Sequence, residues 1–257
     1  VYDIRKEAIN EMVALGAKGA SSCREVAEKS DAIITMVKDI DQTNEVIFGK
    51  DGVWEGIKKG SIIIISSSIG PKYCQQLYKR AKEVKGVKVV DCAISDPSGP
   101  VHYLEAQLTL MIGGDKEDVK RCMPIFKAMG KKIFHLGETG KGQAYKLVNN
   151  MVIMHITGVT RECLNLGLKL GLDMDRMAEV FSYSTGSTWT FQNQVRMKKL
   201  GVKQPVIRLP GGGETPVKTP PQRRMPFELQ AAWELADELG VDMPVCRFID
   251  GIGTYGI

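Results

Sequence analysis

Lys146 stands in an unusual setting. In the run 137–151 (GETGKGQAYKLVNNM), Gly140 and Gly142 open a helical pattern, Lys146 follows four residues later, and Asn149 and Asn150 come three and four residues after that. Residues three and four apart are neighbours on a helix, so Lys146, Asn149 and Asn150 share one face. An amine can hold or pass a proton, and carboxamides bind oxygen through both a donor and an acceptor. A lone lysine of this kind would read as solvated surface. The close grouping of two glycines, one amine and two amides points instead to a site.

Such a stripe needs a scaffold that fixes where the helix starts. The first ~135 residues supply one, alternating helical patterns with short apolar runs: Asp31–Val37, Ile62–Ile65, Val87–Ile94, Leu108–Ile112 and Ile133–Leu136. These runs are β-branched, short and bounded by Gly, Ser or Asp. Near-continuous apolar strands between helices are buried on both faces and mostly parallel, which gives a doubly wound α/β sheet. From Gly142 the pattern turns all-helical. Met151–Leu170 is apolar almost throughout and so is expected to be buried on most sides by a partner domain or a second subunit. Gly171 reads as its stop and Asp173 as the N-cap of the next helix. Helical pattern returns over Phe227–Gly240, whereas 196–226, with its triple glycine and several prolines, reads as a loop or disordered segment. The expected division is 1–140 for the α/β domain and 141–257 for the helical one.

The Gly-x-Gly, Lys-Leu-x-Asn-Asn pattern resembles the catalytic segment of the β-hydroxyacid dehydrogenase (3-hydroxyisobutyrate dehydrogenase) family. Val1–Arg5, Asp31–Val37, Ser61–Pro71, Asp91–Gly114 and Gly171–Asp173 are similar to further landmarks of that family, in the same order. The resemblance implies a Rossmann-type sheet followed by an all-helical substrate and dimerisation domain. In that fold a first strand and a Gly-x-Gly-x-x-Gly turn open the cofactor site. No such turn occurs here; Gly16–Gly19 follows a helical pattern. Val1–Asp3 would then be the second strand, and the sheet would lack its first βα unit, roughly 25–30 residues.

The family pattern carries over residue by residue. Lys146 would act on the substrate hydroxyl as general acid/base, since a partly buried lysine beside a cationic nicotinamide ring titrates nearer neutrality. Asn149 and Asn150 would hold the substrate. Ser95 matches the serine that binds the substrate carboxylate, but the two glycines after it are replaced by Asp96 and Pro97. Proline removes an N–H donor and Asp96 adds negative charge, so Asp96 would face a cationic or hydroxylated part of a different substrate, or carboxylate binding is weakened. Asp3 would bond the adenosine ribose, favouring NAD, while Arg5 beside it would suit a 2′-phosphate, so NADP is the alternative cofactor. Met36 and Val37 would contact the adenosine half, and Ser68 the nicotinamide ribose. The Lys-Asp pair that begins the family's last conserved helix falls at Phe227 and Glu228 here, with Arg223 or Arg224 as candidate substitutes for its lysine.

Bulk composition is that of an ordinary globular chain: 257 residues, 43% hydrophobic, 25% charged, net charge +5. Lys and Arg are spread without a basic block, which argues against nucleic acid. No apolar stretch reaches the roughly 18–20 residues of a membrane span, and no signal-peptide pattern stands at Val1. Six cysteines without Cys-x-x-Cys spacing point to reduced thiols and a cytoplasmic setting, and three separated histidines give no metal-ligand spacing. The expected function is hydride transfer between NAD(P) and a short β-hydroxy acid or its semialdehyde, in a homodimer or homotetramer. The alternative is a non-catalytic interaction or scaffold module on the same fold, favoured by the changes at Asp96, Pro97 and Phe227.

Overall fold

The structure, a computed structural model, describes residues 1–96, 108–199 and 227–251. These fall into two compact units that divide between Lys146 and Leu147.

The first unit is built on a five-stranded sheet: β1 (Ala32–Thr35), β2 (Ile62–Ile65), β3 (Lys88–Ser95), β4 (Leu108–Gly113) and β5 (Gly130–His135), in that spatial order. Only the β3–β4 pair is antiparallel; β1–β2, β2–β3 and β4–β5 are parallel. Parallel neighbours need crossovers. These are α3 (Ile40–Phe48) and α4 (Val53–Gly56) between β1 and β2, α5 (Pro71–Lys85) between β2 and β3, and α6 (Lys116–Met129) between β4 and β5. Two further helices, α1 (Lys6–Ala14) and α2 (Cys23–Glu28), precede the sheet.

Side chains alternate across a strand, so consecutive residues feed opposite layers. Ile63, Ile65 and Val89 pack with Cys74, Leu77 and Ala81 of α5 and with Ala27, Ile47 and Val53. Ile62, Ile64, Val90, Cys92, Leu110 and Ile112 pack with Val119, Cys122 and Phe126 of α6. Both faces are therefore covered, which is why Ile62–Ile65 is apolar at every position. Each such side chain contributes about 1.5–3 kcal/mol by leaving water.

Local chemistry sets the helix ends. Ser22 and Asp39 accept the N–H of Glu25 and Gln42 as N-caps of α2 and α3, and Pro71 occupies the first position of α5. The expected strands form, Ile62–Ile65 as read and the other four with shifted ends, except the one at Val1–Asp3. There the Val1 amine donates to the Lys18 carbonyl oxygen and the Ala20 N–H donates to the Val1 carbonyl oxygen. Two isolated bonds do not make a ladder, and Val1–Asp3 is no strand.

The second unit is helical. Its elements are α7 (Lys141–Lys169), which begins in the first unit, then α8 (Met174–Ser182), α9 (Trp189–Lys199), α10 (Phe227–Glu238) and α11 (Pro244–Gly251). Leu147 and Met151 of α7 pack with Leu229, Ala232, Trp233 and Ala236 of α10. Leu164 packs with Met177, Ala178 and Phe191. Gly171, at φ +78°, ends α7, and Asp173 caps α8 by accepting the Arg176 N–H at 2.8 Å. Helix α9 runs to Lys199, so the start of the expected 196–226 loop is helical instead. The remainder, 200–226, lies outside the described residues, as do Pro97, Arg223 and Arg224. No helix among the described residues is long and apolar enough to cross a membrane.

Candidate active site

The carboxyl ends of β1, β2 and β3 point the same way, because the three strands are mutually parallel. In an open α/β sheet this edge is where ligands lie. The β1 edge carries Thr35, Met36 and Val37; the β2 edge carries Ser66–Gly70; β3 ends at Ser95 and Asp96.

The helix bearing Lys146 is fixed to this edge by a carboxylate that sits inside a strand. Asp91 is fully buried, opposite Ile65 on β2 and Gly113 on β4. Its Oδ1 accepts the Gly140 N–H at 2.5 Å and its Oδ2 the Gln143 N–H at 2.8 Å. The first N–H groups of a helix have no partner within the helix, and its N-terminus carries partial positive charge. A buried carboxylate supplies both needs. Burial pushes the Asp91 carboxyl up to about 6, against the pull of the Gly140 and Gln143 amides. The glycines make room. A Cβ on Gly142 would stand 2.7 Å from Asp91 Oδ2 and in hard contact with the Met111 carbonyl oxygen. Gly140 has φ +98°, and a Cβ there would lie 3.0 Å from the Pro71 carbonyl oxygen. Thr139 adds a bond from its hydroxyl to the Val89 carbonyl oxygen at 3.2 Å.

Gln143 then joins α7 to the β2 edge. Only 2% exposed, it accepts the N–H of Ile69 at 3.1 Å and of Gly70 at 3.3 Å through Oε1. Its Nε2 donates to the Ser67 carbonyl oxygen at 2.7 Å. Ser67 in turn accepts the Val37 N–H on its hydroxyl at 2.8 Å. One run of hydrogen bonds thus links the β1 edge, the β2 loop, α7 and β3. Lys146 is one turn beyond Gln143 and half-buried.

The expected cofactor residues lie along the same unit. Met36 is 64% exposed, open to a ligand rather than part of the core. The Val37 N–H is already engaged by Ser67, so a backbone contact from Val37 to a ligand would use its carbonyl. Ser68 is half-buried between buried Ser67 and Ile69. Asp3 and Arg5 meet each other: Asp3 Oδ1 accepts the Arg5 backbone N–H at 2.8 Å and Nε at 3.3 Å. Those bonds hold the Asp3 carboxyl below its ordinary value. The residues present suit a polar ligand on this edge. Thr35 Oγ1 is buried without a hydrogen-bond partner among the described residues, and the space a Gly70 side chain would fill is open. Ser95 pairs with Thr109 at the end of β3, and Asp96 beside it is half-buried. Along α7, Asn150 is half-buried and Asn149 exposed, with Asn149 Nδ2 3.5 Å from Asn150 Oδ1.

Sequence reasoning passed over Asp91, Gln143 and Ser67 as site residues. One signal was available: an acid in the middle of a β-branched run must be paired when buried, and a glycine-flanked helix start is a natural partner.

Comparisons with known proteins bear on the fold and the family. The model of the NAD binding domain of 6-phosphogluconate dehydrogenase matches residues 1–137. The model described as NAD-binding of NADP-dependent 3-hydroxyisobutyrate dehydrogenase matches residues 140–203. A probable mitochondrial 3-hydroxyisobutyrate dehydrogenase of Dictyostelium discoideum is 32% identical over 190 residues, 74% of this chain and 58% of that protein. An NAD-dependent L-serine dehydrogenase of Pseudomonas aeruginosa is 31% identical over 192 residues, 75% of this chain and 63% of that protein. The chain thus spans about three-fifths of the length of these relatives. In fold it is similar to the crystal structure of 3-hydroxyisobutyrate dehydrogenase from Salmonella typhimurium, with TM-score 0.77 and 23% identity over 96% of this chain and 81% of that one. With a domain model matched over more than half its length and these relatives alongside, the chain belongs to the β-hydroxyacid dehydrogenase family.

Proposed function

We propose that this protein is an oxidoreductase that interconverts a short β-hydroxy acid and its semialdehyde with NAD, Lys146 serving as general acid/base. The observation that supports this most directly is the placement of α7: Asp91 and Gln143 fasten its first turn to the ligand edge one turn before Lys146. A bound nicotinamide supplies the hydride acceptor or donor. As the carbinol C–H leaves as hydride, Lys146 Nζ takes the hydroxyl proton, and in the reverse direction it returns that proton to the forming alkoxide. Such help contributes about 10²–10⁴-fold in rate. Asn149, Asn150 and Ser95 orient the substrate oxygens. Asp96, in place of a glycine, favours a substrate bearing an amino or hydroxyl group; the L-serine dehydrogenase relative is named for a substrate of that kind. Met36, Val37 and Ser68 line the cofactor. The pairing of Arg5 with Asp3 leaves the adenosine end an acid suited to a ribose hydroxyl, which supports NAD over NADP.

The test is NADH and NADPH binding by the purified protein, then hydride transfer across a panel of short semialdehydes, β-hydroxy acids and L-serine. Lys146→Ala should lower kcat by about 10²–10⁴-fold. Turnover that survives the change would remove Lys146 from the chemistry. Binding without any turnover would favour the non-catalytic module instead, and no binding of either nucleotide would overturn the dehydrogenase reading.

We further propose that the chain assembles as a homodimer or homotetramer through α7. Val148, Val152, Ile156, Val159 and Leu166 recur three, four or seven residues apart and are 39–64% exposed. That is an apolar stripe on one helix face, and soluble monomers rarely leave such a patch open. It borders a cavity of about 670 Å³ that Ile156 and Val159 share with Thr160, Phe181 and Phe191. All six cysteines are free thiols, which supports a reducing compartment, the cytoplasm.

A further inference from the structure

We propose that Gln143 and Asp91 are positioning residues for Lys146, setting the register of the first turn of α7 against the Ser67–Gly70 loop. This rests on the reading of Lys146 as general acid/base. Neither side chain reaches solvent; Asp91 is 0% and Gln143 2% exposed. Neither is therefore placed to touch a ligand. Between them they account for five bonds, two from helix amides to the carboxylate and three between the Gln143 carboxamide and the loop.

The geometry defines a position rather than adding general cohesion. Two carboxylate oxygens meet amides three residues apart, one on the residue before α7 and one in its first turn, which fixes both the rotation and the axial position of that turn. The carboxamide meets two successive loop amides with its oxygen and a loop carbonyl with its nitrogen, so the loop cannot slide without breaking a buried bond. A helix rotates about 100° per residue. A slip of the first turn would therefore carry Lys146, three residues beyond Gln143, well away from the loop that holds Ser68. Close packing of Gly142 against the Met111 carbonyl oxygen blocks the helix from settling closer to the sheet as an alternative seat. Reaction needs near-attack geometry, and a misplacement of about 1 Å can cost on the order of 10² in rate.

The test is steady-state kinetics of Gln143→Met, which keeps the side-chain volume and removes all three carboxamide bonds. The expected result is a fall in kcat of about tenfold or more, with KM changed by less than about threefold, the pattern of a group that acts only on the transition state. In a Lys146→Ala background the same substitution should have no further effect on kcat, because it acts through that amine. An unchanged kcat in the folded Gln143→Met protein, or an equal loss with and without Lys146, overturns the proposal. If Lys146→Ala alone leaves kcat intact, the general-acid/base reading has failed, and the positioning role fails with it. Should Gln143→Met not fold, native-state hydrogen exchange on the unaltered protein decides. Ile69, Gly70, Gly140 and Gln143 amides that open together support the clamp, and independent opening of the loop and the helix start refutes it.

Discussion

Replacing Asp91 by Asn separates what this carboxylate costs from what it holds. Burial raises its carboxyl from 3.8 to about 6 in the folded chain. The native state therefore binds this proton more tightly than the unfolded one. For a carboxyl raised on folding, the contribution to stability is greatest below pH 4, declines as pH rises towards 6, and is flat above. The interval corresponds to about 3 kcal/mol, at 1.36 kcal/mol per tenfold change in proton affinity. Asn carries no titrating proton, so this slope disappears. It also turns one amide acceptor into a donor that faces the Gly140 or Gln143 N–H, leaving a buried donor unpaired at a cost of about 1–3 kcal/mol at every pH. The two effects oppose each other. The variant should be about 1–3 kcal/mol less stable than the parent near pH 4, and equal to it or up to about 2 kcal/mol more stable at pH 7. Urea unfolding of both proteins at pH 4, 5, 6 and 7 gives the difference directly. A difference that stays constant across that range would show that Asp91 does not titrate there, and the account of its buried environment would be wrong.

Other substitutions probe the remaining links. Gly142→Ala pushes a methyl into the Met111 carbonyl oxygen and towards Asp91 Oδ2. It should cost about 1–3 kcal/mol in urea unfolding, and a neutral result would mean that α7 does not sit this tightly on β4. Phe126→Ala empties the layer between α6 and the sheet, where Phe126 is 0% exposed, and should destabilise by about 3–5 kcal/mol. Loss under 1 kcal/mol would contradict that packing. Val152→Glu with Ile156→Glu places charge on the exposed stripe of α7. Sedimentation should shift from oligomer to monomer with helical circular dichroism retained, and a parent that already sediments as a monomer removes the interface.

The central parallel strands were legible because burial on both faces forces apolar side chains at every position of a short, β-branched run, as at Ile62–Ile65. Gly171 and Asp173 were legible for a similar reason: helix ends demand particular backbone and capping chemistry nearby in sequence. Val1–Asp3 was misread because a strand is defined by its partner, and Val1 meets Lys18 and Ala20 through single bonds rather than a ladder. The loop reading failed at its start, where α9 extends to Lys199; weak periodicity there hid a helix end. Lys146 and the two asparagines could be grouped from spacing alone, since a helix converts separation along the chain directly into a shared face.

The residues that fix those groups could not be found that way. Asp91 and Gly140 are 49 positions apart, and Gln143 reaches Ser67 across 76. A hydrogen bond over such a separation leaves no periodic trace in the sequence. What the sequence alone determined is most of the elements, the five strands of the sheet among them, and the spacing that groups the amine with two amides, because these follow from local propensity and the alternation of apolar residues. Only the tertiary structure decided that a buried strand aspartate receives the start of α7 and that a glutamine fastens it to the loop after β2. That pairing exists because a carboxylate taken out of water must find donors, and the open end of a helix supplies them.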